Sequence, residues 1–133
     1  LLGYSKMHAG VDFGVPQGTP IRAAGSGVVE IAGRHGAYGI AVEIDHDNRY
    51  ETLYAHMSKL AAGIRRGAKV NQGQIIGYVG STGRSTGSHL HYEVRLEGRA
   101  VNPTPFLRTD SYLLAMERRA SGNVALGGPA KAE

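Results

Sequence analysis

The sequence predicts an all-β fold, mainly an antiparallel sheet, followed by a short C-terminal helix. Three observations predict it. Apolar and polar residues alternate with period two in several short runs. Glycine is abundant, at 20 of 133 residues against an average of about 7%, and it falls between those runs, where turns belong. Hydrophobic residues make up 41% of the chain, enough for a packed core and too many for a disordered chain.

The elements follow in order. Val28 to Ile31 reads as a short strand bounded by Gly27 and Gly33. Ile40, Val42 and Ile44 alternate with Ala41, Glu43 and Asp45, as in a half-buried strand. Asp47-Asn48 supplies a turn. Tyr50 to His56 alternates again, with Thr52, Tyr54 and His56 on one side and Leu53 and Ala55 on the other. Val70 to Val79, with Gly73 and Gly77, suggests a hairpin. Leu90, Tyr92, Val94 and Leu96 alternate with His89, His91, Glu93 and Arg95, and Glu97-Gly98 closes that strand. Pro103 and Pro105 mark its exit. These elements define a domain over residues 1–107. Residues 108–120 read as a short helical extension that Asp110 caps, and residues 121–133, rich in Gly, Ala, Pro and Lys, as a disordered tail.

Composition excludes several classes. Without cysteine there is no disulfide framework, thiolate metal site or cysteine nucleophile. No apolar run approaches the roughly 18 residues of a membrane span. The net charge of +4 favours anionic partners, but the basic residues are scattered and no nucleic-acid motif matches. The start lacks both Met and signal-peptide character, so the chain reads as a fragment of a longer precursor. Any membrane attachment would lie in that missing N-terminal region.

Six histidines carry the chemistry: His8, His35, His46, His56, His89 and His91. Residues two apart on a strand share a face, so His89 and His91 project together, opposite the apolar Leu90, Tyr92 and Val94. His8 and Asp12, four apart, also share a side. Imidazole and carboxylate are good zinc ligands, and a catalytic zinc keeps three of them with a fourth position open. His8, Asp12 and one member of the His89/His91 pair would make three. The remaining imidazole and His56 could then move protons during hydrolysis. His35 and His46 read as loop residues. Gly83-Arg84-Ser85-Thr86-Gly87 imitates a nucleophile elbow, but a strand rather than a helix follows it. Gly63 to Lys69 lacks the Gly-Lys-Ser/Thr ending of a phosphate loop.

Taken together, His8-Ala9-Gly10-Val11-Asp12-Phe13, Tyr54-Ala55-His56 and Gly83 to Val94 with its His89-Leu90-His91-Tyr92-Glu93 core resemble the lysostaphin-like (LytM-type) zinc endopeptidases of bacterial cell walls. Pro20 to Ala24, followed by Gly27-Val28-Val29, is similar to that family's early strands. The resemblance covers roughly residues 3–107. It implies an antiparallel sheet forming an open groove closed by loops. It implies that His8, Asp12 and His91 bind one Zn2+ per chain, and that His56 and His89 are the unligated catalytic histidines. The implied reaction is hydrolysis of peptidoglycan stem peptides or cross-links in the cell envelope, periplasmic or extracellular. Glu93-Val94-Arg95 looks more like Gram-negative members, which favours D-Ala–meso-diaminopimelate cross-links. An upstream inhibitory segment or a regulatory protein is an expected partner, and Tyr4, Tyr38 and Arg84 are expected to line the groove. Two alternatives share the fold: a non-catalytic activator of a wall amidase, and a phosphotransferase-system carrier domain. A lipoyl-type carrier would need a lysine at the tip of the Val70–Val79 turn, where none stands.

Overall fold

Alternation of side chains across a pleated strand decides which residues meet in this fold. The structure, a computed structural model, describes residues 10–47, 50–85 and 87–102. His8, Tyr4, the expected helix over 108–120 and the expected tail over 121–133 lie outside the described residues. Among the described residues there are nine strands: β1 (Val11–Phe13), β2 (Pro20–Arg22), β3 (Gly27–Arg34), β4 (Ile40–Asp45), β5 (Tyr50–Leu60), β6 (Lys69–Val70), β7 (Ile75–Val79), β8 (Leu90–Leu96) and β9 (Arg99–Val101). One 3-10 turn, Gly36–Tyr38, lies between β3 and β4. None of the described helical segments is long and apolar enough to cross a membrane.

The strands form one antiparallel sheet in the order β9-β8-β5-β4-β3-β6. The short β1 pairs with the beginning of β8, and β7 pairs with the end of β5 and with β2. The expected all-β, antiparallel class is what the chain adopts.

The main core lies on one face, where Phe13, Ile44, Tyr54, Leu90, Tyr92 and Val94 are essentially inaccessible. Burying each such side chain contributes about 1.5–3 kcal/mol. The Tyr54 and Tyr92 rings meet at 5.5 Å in a tilted arrangement. The opposite face carries a smaller cluster, Ala41, Leu53 and Ala55, covered by Tyr38. Both faces of β4 are therefore covered, and Ala41, Val42, Glu43 and Ile44 are all buried. The half-buried reading of that strand holds only at its ends.

Two other expectations change. β3 and β5 run longer than the alternating stretches that announced them. The segment from Val70 to Val79 turns, with the Gln74 amide on the Asn71 carbonyl at 3.0 Å, but it is no hairpin: β6 pairs with β3 whereas β7 pairs with β2 and β5. The turn is local and follows from its residues, whereas the strand partners are remote in sequence.

His46 lies in the loop between β4 and β5, as its sequence position suggests, but its ring is buried. Its Nδ1 faces the Ser26 carbonyl at 2.8 Å and its Nε2 lies 2.6 Å from Thr52 Oγ1. Thr52 Oγ1 is 2.7 Å from the Tyr54 hydroxyl, which accepts the Ala24 amide at 2.9 Å. This buried chain ties the loop before β3 to the centre of the sheet.

Candidate functional site

Strand register builds the site. Asp12 on β1 and Ala55 on β5 both lie directly across from His91 on β8. Directly opposed residues share a face, so Asp12, His91 and then Glu93 and Arg95 line the side away from the main core. His91 Nδ1 is 2.7 Å from Asp12 Oδ1. His89 Nε2 is 3.6 Å from the same oxygen. The expected pair of histidines on the non-core face is therefore present, with Asp12 between them.

His56 reaches this face by an irregularity. Simple alternation would send it to the core beside Tyr54. Instead, Val42 faces Tyr54 while Ile40 faces Met57, so two residues of β5 oppose one of β4. His56 takes φ 64° at this bulge, a left-handed conformation that costs an ordinary residue of order 1–3 kcal/mol. The bulge turns its ring toward the histidine pair, with centroids 4.8 Å from His89 and 6.0 Å from His91. Met57 then returns to the core. Bulges commonly re-aim one side chain in this way.

Backbone carbonyls set the tautomers of the two remaining imidazoles. His56 Nδ1 donates to the Thr82 carbonyl at 2.7 Å. His89 Nδ1 donates to the Gly87 carbonyl at 3.0 Å, with Ser85 Oγ at 3.2 Å. In the neutral form of each ring, Nε2 is therefore the acceptor nitrogen. Burial lowers the His56 pKa, and the neighbouring His89 and His91 add to that while the Thr82 bond opposes it, so His56 is a neutral base at pH 7. The Ser85 hydroxyl donates to the Gly87 carbonyl at 2.6 Å. It staples its own loop, which agrees with rejecting the nucleophile elbow.

His91 is held on both sides. Its Nε2 lies 2.8 Å from Glu93 Oε2. Glu93 is 1% exposed, and its remaining contacts come from the Tyr38 hydroxyl at 2.7 Å and from Arg95 Nε and Nη2 at 3.0 and 2.8 Å. Burial opposes the Glu93 charge, but the hydrogen bond from His91, then those from Tyr38 and Arg95, outweigh it and hold the carboxyl below the usual range. Burial likewise opposes a charged His91. The hydrogen bonds that His91 donates to Asp12 and Glu93 prevail and push it up to about 9.

The loops over the site are locked backbone to backbone. A Cβ on Gly39 would stand 2.5 Å from Thr82 Oγ1 and 2.6 Å from Gly83 N. The Arg84 amide bonds the Ala37 carbonyl at 2.8 Å. The turn carrying Tyr38 and the loop leading to His89 are thereby fixed together. Tyr38 lies near-parallel to His91 at 6.0 Å, with His35 stacked on it at 5.9 Å.

The structure thus brings together Asp12, His56, His89, His91 and Tyr38. Arg84 is exposed, and His8 and Tyr4 lie outside the described residues. Glu93 and Arg95 received no role from sequence. Their signal was the continued period of two after His91. Farther along the same face, donor atoms of Glu30, Glu43 and Glu51 lie within 4.8 Å of one another. Arg95 Nη1 is 3.5 Å from Glu43. Among the described residues this trio is close enough to share a cation, and it is purely acidic.

Residues 6–103 match peptidase family M23. The chain belongs to that family. It is 48% identical over 95 residues to the peptidoglycan DD-endopeptidase ShyA of Vibrio cholerae, covering 71% of this chain and 22% of ShyA. The catalytic domain of the antimicrobial peptidase lysostaphin from Staphylococcus simulans superposes with TM-score 0.71 at 38% identity, over 77% of this chain and 80% of that one. A zinc-containing peptidase from Vibrio cholerae superposes with TM-score 0.65 at 39% identity, over 69% and 28% of the two chains. The M23 chain spans about a fifth of the length of the curated relatives it matches. The lysostaphin-like resemblance read from the histidine motifs is the right family.

Proposed function

We propose that this M23 domain is a zinc-dependent endopeptidase that hydrolyses peptide bonds of bacterial peptidoglycan in the cell envelope. The observation that carries the reading is the convergence of Asp12, His91, His89 and His56 on one sheet face, with the tautomers of His56 and His89 fixed by backbone carbonyls. The curated relative ShyA, named a peptidoglycan DD-endopeptidase, supports the substrate class.

The donor set fits a zinc ion. A tetrahedral zinc with bonds near 2.1 Å separates its donor atoms by about 3.4 Å. His91 Nδ1 and Asp12 Oδ1 stand 2.7 Å apart, so a small opening makes room. His8, four residues before Asp12, is the third ligand that the family resemblance implies, and one ion per chain follows from three such ligands. Zinc held there would polarise a scissile carbonyl and acidify a water molecule.

The chain's own residues do the rest. The free Nε2 atoms of His56 and His89 take a proton from the attacking water and deliver it to the leaving amine. A protonated imidazole there also offsets developing oxyanion charge. Tyr38 and the loop 80–85 wall the site. The relatives' DD-endopeptidase name and the Glu93-Val94-Arg95 sequence favour D-Ala–meso-diaminopimelate cross-links, in a periplasmic setting.

Two experiments test this reading. His89→Ala retains zinc and loses hydrolysis, whereas His91→Ala loses both. Full zinc occupancy in His91→Ala would defeat the ligand assignment. Digestion of purified sacculi releases products cut at D-Ala–diaminopimelate bonds. Intact cross-links beside cleaved pentaglycine would reverse the substrate choice.

A further inference from the structure

We propose that Glu93 is the positioning residue of the metal centre: its buried carboxylate, clamped by Tyr38 and Arg95, holds His91 as the Nε2–H tautomer and aims Nδ1 at Asp12. This rests on the zinc reading above and deepens it.

An imidazole can ligate a metal only through an unprotonated nitrogen. Which nitrogen that is depends on what the other one bonds. His91 Nε2 lies 2.8 Å from Glu93 Oε2, a carboxylate oxygen that only accepts. Nδ1 faces a second carboxylate, Asp12 Oδ1, at 2.7 Å, so a metal shared by Asp12 and Nδ1 would leave the ring's one proton on Nε2, where Glu93 accepts it. A carboxylate in this place also makes the ring a stronger donor to a metal.

Glu93 cannot turn away, because each of its oxygens is pinned. Oε2 accepts from His91 and from the Tyr38 hydroxyl at 2.7 Å, and Oε1 accepts from Arg95 twice. Arg95 Nη2 also donates to the Tyr38 hydroxyl at 3.0 Å, which fixes the Tyr38 proton on the Glu93 side. The Arg95 charge balances the carboxylate, so His91 need not be cationic to keep Glu93 in place. Tyr38 is delivered from a different element, the turn before β4, and that turn is locked to the loop carrying His89. One hydrogen-bonded unit therefore joins the β8 ligand to the loops over the groove.

The test is zinc affinity, measured by chelator competition on wild type, Glu93→Gln, Tyr38→Phe and His91→Asn. The His91 tautomer is read by long-range proton–nitrogen NMR on zinc-loaded protein. We expect Nε2–H in wild type. Glu93→Gln keeps the shape and loses the charge, so zinc binding weakens by roughly tenfold to a hundredfold. Tyr38→Phe, which removes a single hydroxyl, weakens it several-fold. If both variants bind zinc within twofold of wild type while His91→Asn does not, the positioning inference is overturned and the ligand assignment stands. If His91→Asn binds zinc as wild type does, the ligand assignment itself fails. Should Glu93→Gln not fold, Tyr38→Phe decides on the same twofold criterion. An Nδ1–H tautomer in zinc-loaded wild type also overturns the inference.

Discussion

Asp12 and His91 lie 79 residues apart in sequence and directly opposite each other across β1 and β8, with Oδ1 and Nδ1 at 2.7 Å. Without metal, a protonated His91 Nδ1 donates to Asp12 across that contact. Burial resists the charge on His91, but Asp12 and Glu93 prevail and push its pKa up to about 9. A metal must displace this proton. Zinc affinity is therefore expected to fall by up to tenfold for each pH unit below 9, as read by competition titrations between pH 6.5 and 9. The same raised pKa stabilises metal-free protein fully below the unfolded value of 6.5 and is lost as pH rises through 9. An affinity that is flat with pH would contradict the arrangement.

Gly39 is required where the Tyr38 turn meets the loop 80–85. Its φ is 69°, and an added Cβ would meet Thr82 Oγ1 at 2.5 Å. Gly39→Ala is expected to destabilise by about 2 kcal/mol or more, combining backbone strain with displacement of Thr82. Chemical denaturation of the metal-free protein measures this. A change under 0.5 kcal/mol, on the scale of an ordinary surface substitution, would mean the loops are not locked.

Glu30 sits beside Glu51 in the acidic trio. Burial, then the hydrogen bond and charge of Glu51, push its pKa up from 4.5 to about 7. Its favourable contribution is therefore complete below pH 4.5 and lost as pH rises through 7. Glu30→Gln removes that loss. Its melting temperature should gain on wild type between pH 5 and pH 8, and an equal difference at both pH values would count against the repulsion.

The Tyr54 hydroxyl accepts the Ala24 amide and meets Thr52, which in turn meets His46. Tyr54→Phe strands these buried partners, at a cost of roughly 1–3 kcal/mol. Denaturant unfolding should show a lower midpoint with an unchanged slope.

How much of this was legible depended on whether the deciding contact was local. β8 could be read to its last residue because strict alternation from Leu90 to Leu96 has one physical meaning. Asp12, His89 and His91 were legible for the same reason. Alternation puts His56 on the side of Tyr54, away from Leu53 and Ala55, and takes Leu53 and Ala55 as the inward pair; the main core in fact lies on the Tyr54 side. Only the bulge opposite Ala41, set by pairing with β4, explains its true direction. The Val70–Val79 segment was misread because its turn is local and its strand partners are remote. Glu93 and Tyr38 lie 55 residues apart, and nothing in their own neighbourhoods announces that they meet. His46 looked like a turn neighbour because its partner Ser26 is 20 residues upstream.

The zinc anomalous signal in crystals of this domain grown with the metal locates the ion directly. We expect one peak at about 2.0–2.2 Å from both His91 Nδ1 and an Asp12 carboxylate oxygen. A principal peak on Glu30, Glu43 and Glu51, with none at His91, would contradict it.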